Sequence, residues 1–171
     1  MIPAIVLAAG KSTRMGRVKA LLPLEHDETF LTRIITTLKA ADVEDVVVVV
    51  GHDAPAIIAA FDRRPVTARV VVNPNYEAGQ LTSLVAGLRV VDRPGVVAAL
   101  VALVDAPFFQ PATVRALVDR YRRTSARIVR PVHGTAWPPG VDRPFAVRCV
   151  EARGSRTGNQ TSRPCARVNR R

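Results

Sequence analysis

Four basic residues, Lys11, Arg14, Arg17 and Lys19, fall within nine positions just after the segment Leu7, Ala8, Ala9, Gly10. That combination suits a polyphosphate. A glycine just past a buried strand lets backbone N–H groups turn toward a ligand, and concave runs of such groups bind anions. Cationic side chains then neutralise charge that backbone alone could not hold. The alternative is a solvated loop whose basic residues happen to cluster, and the position after the first apolar run favours the ligand. Two common phosphate loops are excluded: position 5 is Ile where a Gly-x4-Gly-Lys-Ser/Thr pattern needs glycine, and no Gly-x-Gly-x-x-Gly occurs.

Two further places carry chemistry. The run "ALVALVDAPF" delivers Asp105 at the end of an apolar stretch, where a carboxylate must be solvated, cap a turn or meet a cation. With a triphosphate at the same edge, Mg²⁺ ligation is the favoured reading, because Mg²⁺ takes one or two carboxylates together with substrate phosphates and waters. The run "NPNYEAGQLTSLVAGL" places Asn73 at a strand end and Gly79, Gln80 and Ser83 around a helix start. Its amide and hydroxyl groups suit a nucleobase or ribose, or equally the capping of that helix. His26, His52 and His133 are scattered, and none is read as a catalytic base.

These residues must be held by a scaffold, and the hydropathy pattern predicts one. Short β-branched runs at 5–7, 46–50, 70–72, 96–104 and, weakly, 128–129 predict strands buried on both faces. Between them lie helical periods: Phe30, Ile34, Ile35 and Leu38; residues 56–61 behind an Asp53 N-cap and Pro55; Leu81, Leu84, Val85 and Leu88; and a helix opened by Pro111 with Val114, Leu117, Val118 and Tyr121 on one stripe. Repeated strand–helix–strand units predict an α/β fold, a Rossmann-like doubly wound and mostly parallel sheet in a three-layer α/β/α arrangement. Ligands of such sheets bind outside the carboxyl ends of the strands. The loop after Leu7, the segment after Val72 and the segment after Val104 all lie there.

The three segments together resemble the nucleotidyltransferase family that includes the molybdenum cofactor cytidylyltransferases and guanylyltransferases. "LAAGKSTRMGRVKALLPL" matches LAAG-x-S-x-R-M-G-x-x-K, "NPNYEAGQLTSLVAGL" is similar to N-x5-G-x3-S, and "LVDAP" to L-x-D-x-P. The resemblance implies that Gly10, Arg14 and Lys19 hold the NTP phosphates, that Ala8, Ala9 and Ser83 lie near the base or ribose, and that Asp105 binds Mg²⁺. The candidate nucleotide-binding set is thus Leu7, Ala8, Ala9, Gly10, Lys11, Asn73, Gly79 and Ser83, and the candidate catalytic set is Lys19, Arg14 and Asp105. It also implies transfer of a nucleoside monophosphate from an NTP to a phosphorylated small-molecule acceptor such as molybdopterin, with release of pyrophosphate. The helix with Gln80 and Ser83 resembles the cytidylyl branch more, which favours CTP.

The resemblance covers roughly residues 1–133, the expected nucleotidyltransferase core. Residues 134–171 read as an atypical Arg-rich tail without useful helical or strand period. Of the formal net charge of +11, residues 1–130 carry +5 and residues 131–171 carry +6, the latter from eight Arg and no Lys against two acids. Two explanations compete: a basic arm for nucleic acid or acidic lipid, or a shifted frame of a GC-rich gene, favoured by 22 Arg against three Lys in the whole chain. A catalytically impaired nucleotide-binding or nucleic-acid-binding protein is the alternative function. The first reading expects neither nucleic acid nor membrane as partner. With no secretory leader pattern, no apolar run near the roughly 20 residues of a spanning helix, and two cysteines without metal-ligand spacing, the expected compartment is the cytoplasm.

Overall fold

The first apolar run becomes β1 (Ala4–Ala8), every residue of which is buried. The computed structural model describes residues 1–11, 18–25, 27–63, 67–132, 148–151 and 166–169. In chain order the elements after β1 are α1 (Phe30–Lys39), β2 (Val46–Val50), α2 (Ala54–Asp62), β3 (Arg69–Val72), α3 (Gln80–Val91), β4 (Ala98–Leu103), α4 (Pro111–Thr124), β5 (Ile128–Val132), β6 (Arg148–Glu151) and β7 (Ala166–Asn169). One sheet runs β3-β2-β1-β4-β6-β5-β7. Strands β1 to β4 are mutually parallel, β6 is antiparallel to both β4 and β5, and β7 is parallel to β5. The α/β, Rossmann-like, mostly parallel architecture is the expected one.

Alternation along the strands builds the three layers. Ala4, Val6 and Ala8 of β1 join Val46, Val48 and Val50 of β2 in one core with Leu31, Ile34, Ile35 and Leu38 of α1, Ile57 of α2, and Val114 and Leu117 of α4. Ile5 and Leu7 join Val47 and Val49 on the other face, under Leu84, Leu88 and Val91 of α3. Helix α1 begins with a reciprocal cap: the Thr32 backbone N–H donates to Thr29 Oγ1 at 3.2 Å, and the Thr29 N–H to Thr32 Oγ1 at 2.7 Å. At the amino ends of the strands, away from the ligand edge, Asp45 Oδ1 accepts from Arg69 Nη2 at 2.9 Å and Oδ2 from Arg93 Nη2 at 2.7 Å.

Several expectations are corrected in detail. Leu31 rather than Phe30 completes the buried stripe of α1. Asp53 stands at the N-cap position of α2 but in the left-handed region, φ 55°, and makes no side-chain cap bond; its carboxylate faces His52 Nε2 at 3.3 Å instead. The fourth strand is shorter than the run 96–104, because Val97 is exposed and its carbonyl accepts from the Tyr121 hydroxyl at 2.8 Å. Past residue 133, where no strand period is legible, backbone of β6 fills the gap between β4 and β5. RCVE and ARVN lack the continuous β-branched run that makes the equally short RVVV of β3 legible. Among the described residues, no helix is long and apolar enough to cross a membrane.

Helix α3 lies unusually close to the sheet at Gly87. A Cβ there would stand 2.5 Å from Ile5 Cγ2 and 3.0 Å from Val49 Cγ2, both on fully buried side chains. Glycine inside a helix costs about 1 kcal/mol against alanine, so only close packing justifies it. Gly87→Val should therefore lower unfolding stability by about 2–3 kcal/mol through overpacking, measured as a fall in the urea midpoint; an unchanged midpoint would contradict the packing account.

Candidate active site

The floor of the site is set by strand register. Ala8 pairs with Val50, Val50 with Val72, and Leu7 with Leu103, so the chain leaves β1, β2, β3 and β4 along one line. Hydrogen bonds continue the ladder past the strand ends: His52 N donates to Ala9 O at 3.2 Å, Asn73 N to Val50 O at 2.8 Å and Val104 N to Leu7 O at 3.2 Å. A cleft opens directly above. Leu7, Ala8, Ala9, Gly10, Lys19, Ser83 and Asp105, all candidates from sequence, line it together with Gln80.

On the β1 side, Gly10 is exposed at the end of the buried strand, as a backbone anion site requires. Lys19 returns to the cleft at the start of a 3-10 turn, Lys19–Leu21, whose Ala20 is 1% exposed. Leu22 O accepts from Phe30 N at 3.1 Å, which ties that turn to the beginning of α1. The Lys19 ammonium is thus carried on an anchored piece of backbone. Arg14 and Arg17 lie outside the described residues, as do His26 and His133.

Lys11 stands at the edge of the cleft, where its ammonium meets Glu77 Oε1 at 2.7 Å. The hydrogen bond and charge of Glu77 raise the Lys11 pKa above its ordinary value, and the same contact holds the Glu77 carboxyl below its own. Both groups are therefore charged at neutral pH.

Across the cleft, Asn73 and Gly79 are not lining residues. Asn73 is 4% exposed, and its amide donates to Thr82 Oγ1 and Ser83 Oγ, each at 2.9 Å, while its Oδ1 accepts from Asn75 N at 3.0 Å. The Asn75 backbone N–H can only donate, so it fixes which way the amide faces. Asn73 therefore orients Ser83, whose hydroxyl accepts from the amide and turns its proton elsewhere. Gly79, at φ 109°, makes the bend between the 3-10 turn Tyr76–Ala78 and α3 that brings Gln80 and Ser83 to the cleft.

Tyr76, Val18, Ala20, Leu103 and Val104 also line the cleft and were not among the candidates from sequence. Tyr76 is the informative one. A Cβ on Gly51 would fall 2.5 Å from Tyr76 Cβ and 2.6 Å from its Cγ, so the ring lies directly on the backbone just after β2. Its hydroxyl stands 3.4 Å from His52 Nδ1. A glycine immediately after a buried run of five valines is the available sequence signal, since glycine at a strand end marks close approach of another segment.

Asp105 follows β4 through a turn in which Ala106 N donates to Leu103 O at 3.2 Å, and Phe109, 4% exposed, pins the segment after it. The carboxylate itself is exposed, so solvent meets its charge without the cost of burial. It is the one acid lining the cleft among the described residues, and those residues contain no cluster of three His, Cys, Asp or Glu side chains. That donor set does not make a closed protein cage. It fits a hard cation that draws its remaining oxygen ligands from substrate phosphates and water.

The chain is similar to known proteins over most of its length. The family model for the MobA-like NTP transferase domain matches residues 4–168. Over 122 residues the chain is 34% identical to a nicotine blue oxidoreductase from Paenarthrobacter nicotinovorans, a match covering 71% of this chain and 57% of that protein. Over 136 residues it is 32% identical to a probable molybdenum cofactor guanylyltransferase from Mycolicibacterium paratuberculosis, covering 78% of this chain and 64% of that protein. The chain thus spans less than two thirds of these curated relatives. A solved nucleotidyl transferase from Methanothermobacter thermautotroptrophicus superposes with a TM-score of 0.72 at 26% identity, covering 89% of this chain and 72% of that one.

The buried amide predicts its own cost. Asn73→Ala removes two donated hydrogen bonds and leaves the Ser83 hydroxyl, 2% exposed, without its orienting partner. Stability should fall by about 1–3 kcal/mol, read from denaturant unfolding; a loss within error of zero would show that the Asn73–Ser83 contact positions nothing.

Proposed function

The chain belongs to the MobA-like NTP transferase domain family, and from that premise we propose that it is a nucleotidyltransferase whose cleft binds an NTP and a phosphorylated acceptor. The observation that carries the reading is the convergence of Gly10, Lys19, Ser83 and Asp105 on one cleft at the carboxyl ends of parallel strands. In the proposed reaction an oxygen of the acceptor phosphate attacks the α-phosphorus of the NTP. A new P–O bond forms, the bond to the bridging oxygen of the β-phosphate breaks, and pyrophosphate leaves.

Such chemistry asks for positioning and charge neutralisation rather than a protein nucleophile. The Gly10 backbone and the Lys11, Arg14 and Lys19 side chains are assigned to the triphosphate, with Lys19 on the anchored turn best placed to meet charge developing on the leaving pyrophosphate. Gln80 and Ser83, with Leu7, Ala8 and Ala9 opposite, are assigned to the base and ribose, and Asn73 and Gly79 to holding that wall in place. Asp105 would hold Mg²⁺, which when bound supplies Lewis-acid polarisation of the phosphoryl oxygens.

For the substrates we favour CTP as nucleotide and molybdopterin as acceptor. The guanylyltransferase name of the Mycolicibacterium relative supports a molybdenum cofactor acceptor and sets GTP as the competing base. The oxidoreductase name of the Paenarthrobacter relative belongs to another reaction class; Lys19 and the exposed Asp105 lining one cleft beside the Gly10 backbone favour phosphoryl chemistry here. A tail-driven nucleic-acid binder remains the second reading, carried by the +6 charge of residues 131–171. The family match through residue 168 weighs against it.

The test is turnover of α-labelled CTP and GTP with molybdopterin and Mg²⁺. Labelled product with release of pyrophosphate is expected, and Asp105→Asn or Lys19→Ala should each lower kcat/KM by about 10²–10³-fold. Full activity in either variant would contradict the assignment. Binding of nucleic acid that Lys19→Ala leaves intact, with steep salt dependence and no nucleotide turnover, would favour the second reading.

A further inference from the structure

The two walls of the cleft are joined by opposite charges at its edge. Lys11 follows Gly10 on the β1 side and Glu77 follows Tyr76 on the α3 side; Gly10 and Tyr76 line the cleft, and the side chains beyond them meet at 2.7 Å. Lys11 is 46% and Glu77 64% exposed, so water and salt screen the pair and its two groups are readily re-partnered. Tyr76 directly precedes Glu77 in the 3-10 turn Tyr76–Ala78. Its ring rests on Gly51, so the acid is presented from a fixed support. Lys11 therefore stands one residue past the phosphate-binding glycine with its charge already committed to a protein acid.

We propose that Glu77 competes with the nucleotide's phosphates for Lys11, holding the ammonium across the edge of the cleft in the ligand-free protein and yielding it to a bound triphosphate. The inference rests on the reading of the cleft as an NTP site and assigns Glu77 a role in tuning it. A triphosphate chain carries clustered negative oxygens that an ammonium meets with stronger charge-assisted hydrogen bonds than one screened carboxylate offers. The exchange has a cost, so Glu77 lowers affinity for any polyphosphate that uses Lys11. Run in reverse, it returns Lys11 to Glu77 as pyrophosphate departs, which favours release of that product. Glu77 acts here through Lys11 and is a positioning residue, not a catalytic one.

The experiment is a double-mutant cycle on the full chain, with tripolyphosphate and Mg²⁺ as the probe and titration calorimetry at low ionic strength as the readout. Both positions are exposed, so folding is not at risk. Glu77→Gln should tighten tripolyphosphate binding by about two- to fivefold, and the gain should vanish in a Lys11→Met background and shrink in high salt. An unchanged or weakened Kd in Glu77→Gln would overturn the proposal. So would an equal gain with and without Lys11, which would show simple repulsion between Glu77 and the ligand. A wild-type affinity that Lys19→Ala leaves untouched would instead overturn the nucleotide reading and the exchange with it. Lys19-dependent binding combined with a neutral Glu77→Gln would overturn the exchange alone.

Discussion

The register of β1 between β2 and β4 is the constraint on which the rest depends. Side chains alternate with a period of two, so a slip of one residue would exchange the two cores and turn every buried residue of β1 toward the wrong layer. The register that satisfies both layers, Ala8 opposite Val50 and Leu7 opposite Leu103, also decides where the chain emerges. Gly10, Gly51 and Asp105 reach the same edge because β1 pairs with β2 and β4 in this register. The location of the cleft is in this sense a by-product of core packing.

Position along that edge is then refined by contacts that are polar or unusually close. Asn73 spends its whole amide on Thr82, Ser83 and Asn75, which converts a strand end into a bracket for the first turn of α3. Tyr76 uses the missing side chain of Gly51 to reach the cleft wall. On the other side, Ala20, buried beside the flexible stem of Lys19, anchors a turn that would otherwise swing. Each bracket fixes a loop at the cleft, and each is made within a few residues of a group assigned to substrate.

Much of this was legible in the sequence, for a physical reason. Runs of β-branched residues mark β1, β2 and β3 within a residue of their observed bounds, although only β1 and β2 are buried throughout while β3 is partly exposed, against the expectation for that run. The cleft-lining positions of Gly10, Lys19, Ser83 and Asp105 followed from knowing which strand ends are carboxyl ends. What sequence could not register is what depends on distant partners. Asn73 has a side chain that suits a ligand or a helix cap equally, while its burial behind Ser83 is a property of the assembled loop. Tyr76 carries no local signal at all, since its place depends on a glycine after a different strand. Asp53 has the right type for a helix cap, yet its left-handed backbone directs the carboxylate to His52. β6 and β7 are short strands held by the edges they pair with, rather than by any pattern of their own.

The central claim is that nucleotide phosphates lie between the Gly10–Lys19 side and Asp105, with a divalent cation at that acid. A crystal structure of the full chain with a non-hydrolysable CTP analogue and Mn²⁺, read by anomalous scattering, tests it most directly. An anomalous peak is expected at the Asp105 carboxylate, with phosphate density over the Gly10 backbone within reach of Lys19. Nucleotide bound elsewhere, or a metal peak remote from Asp105, would contradict it.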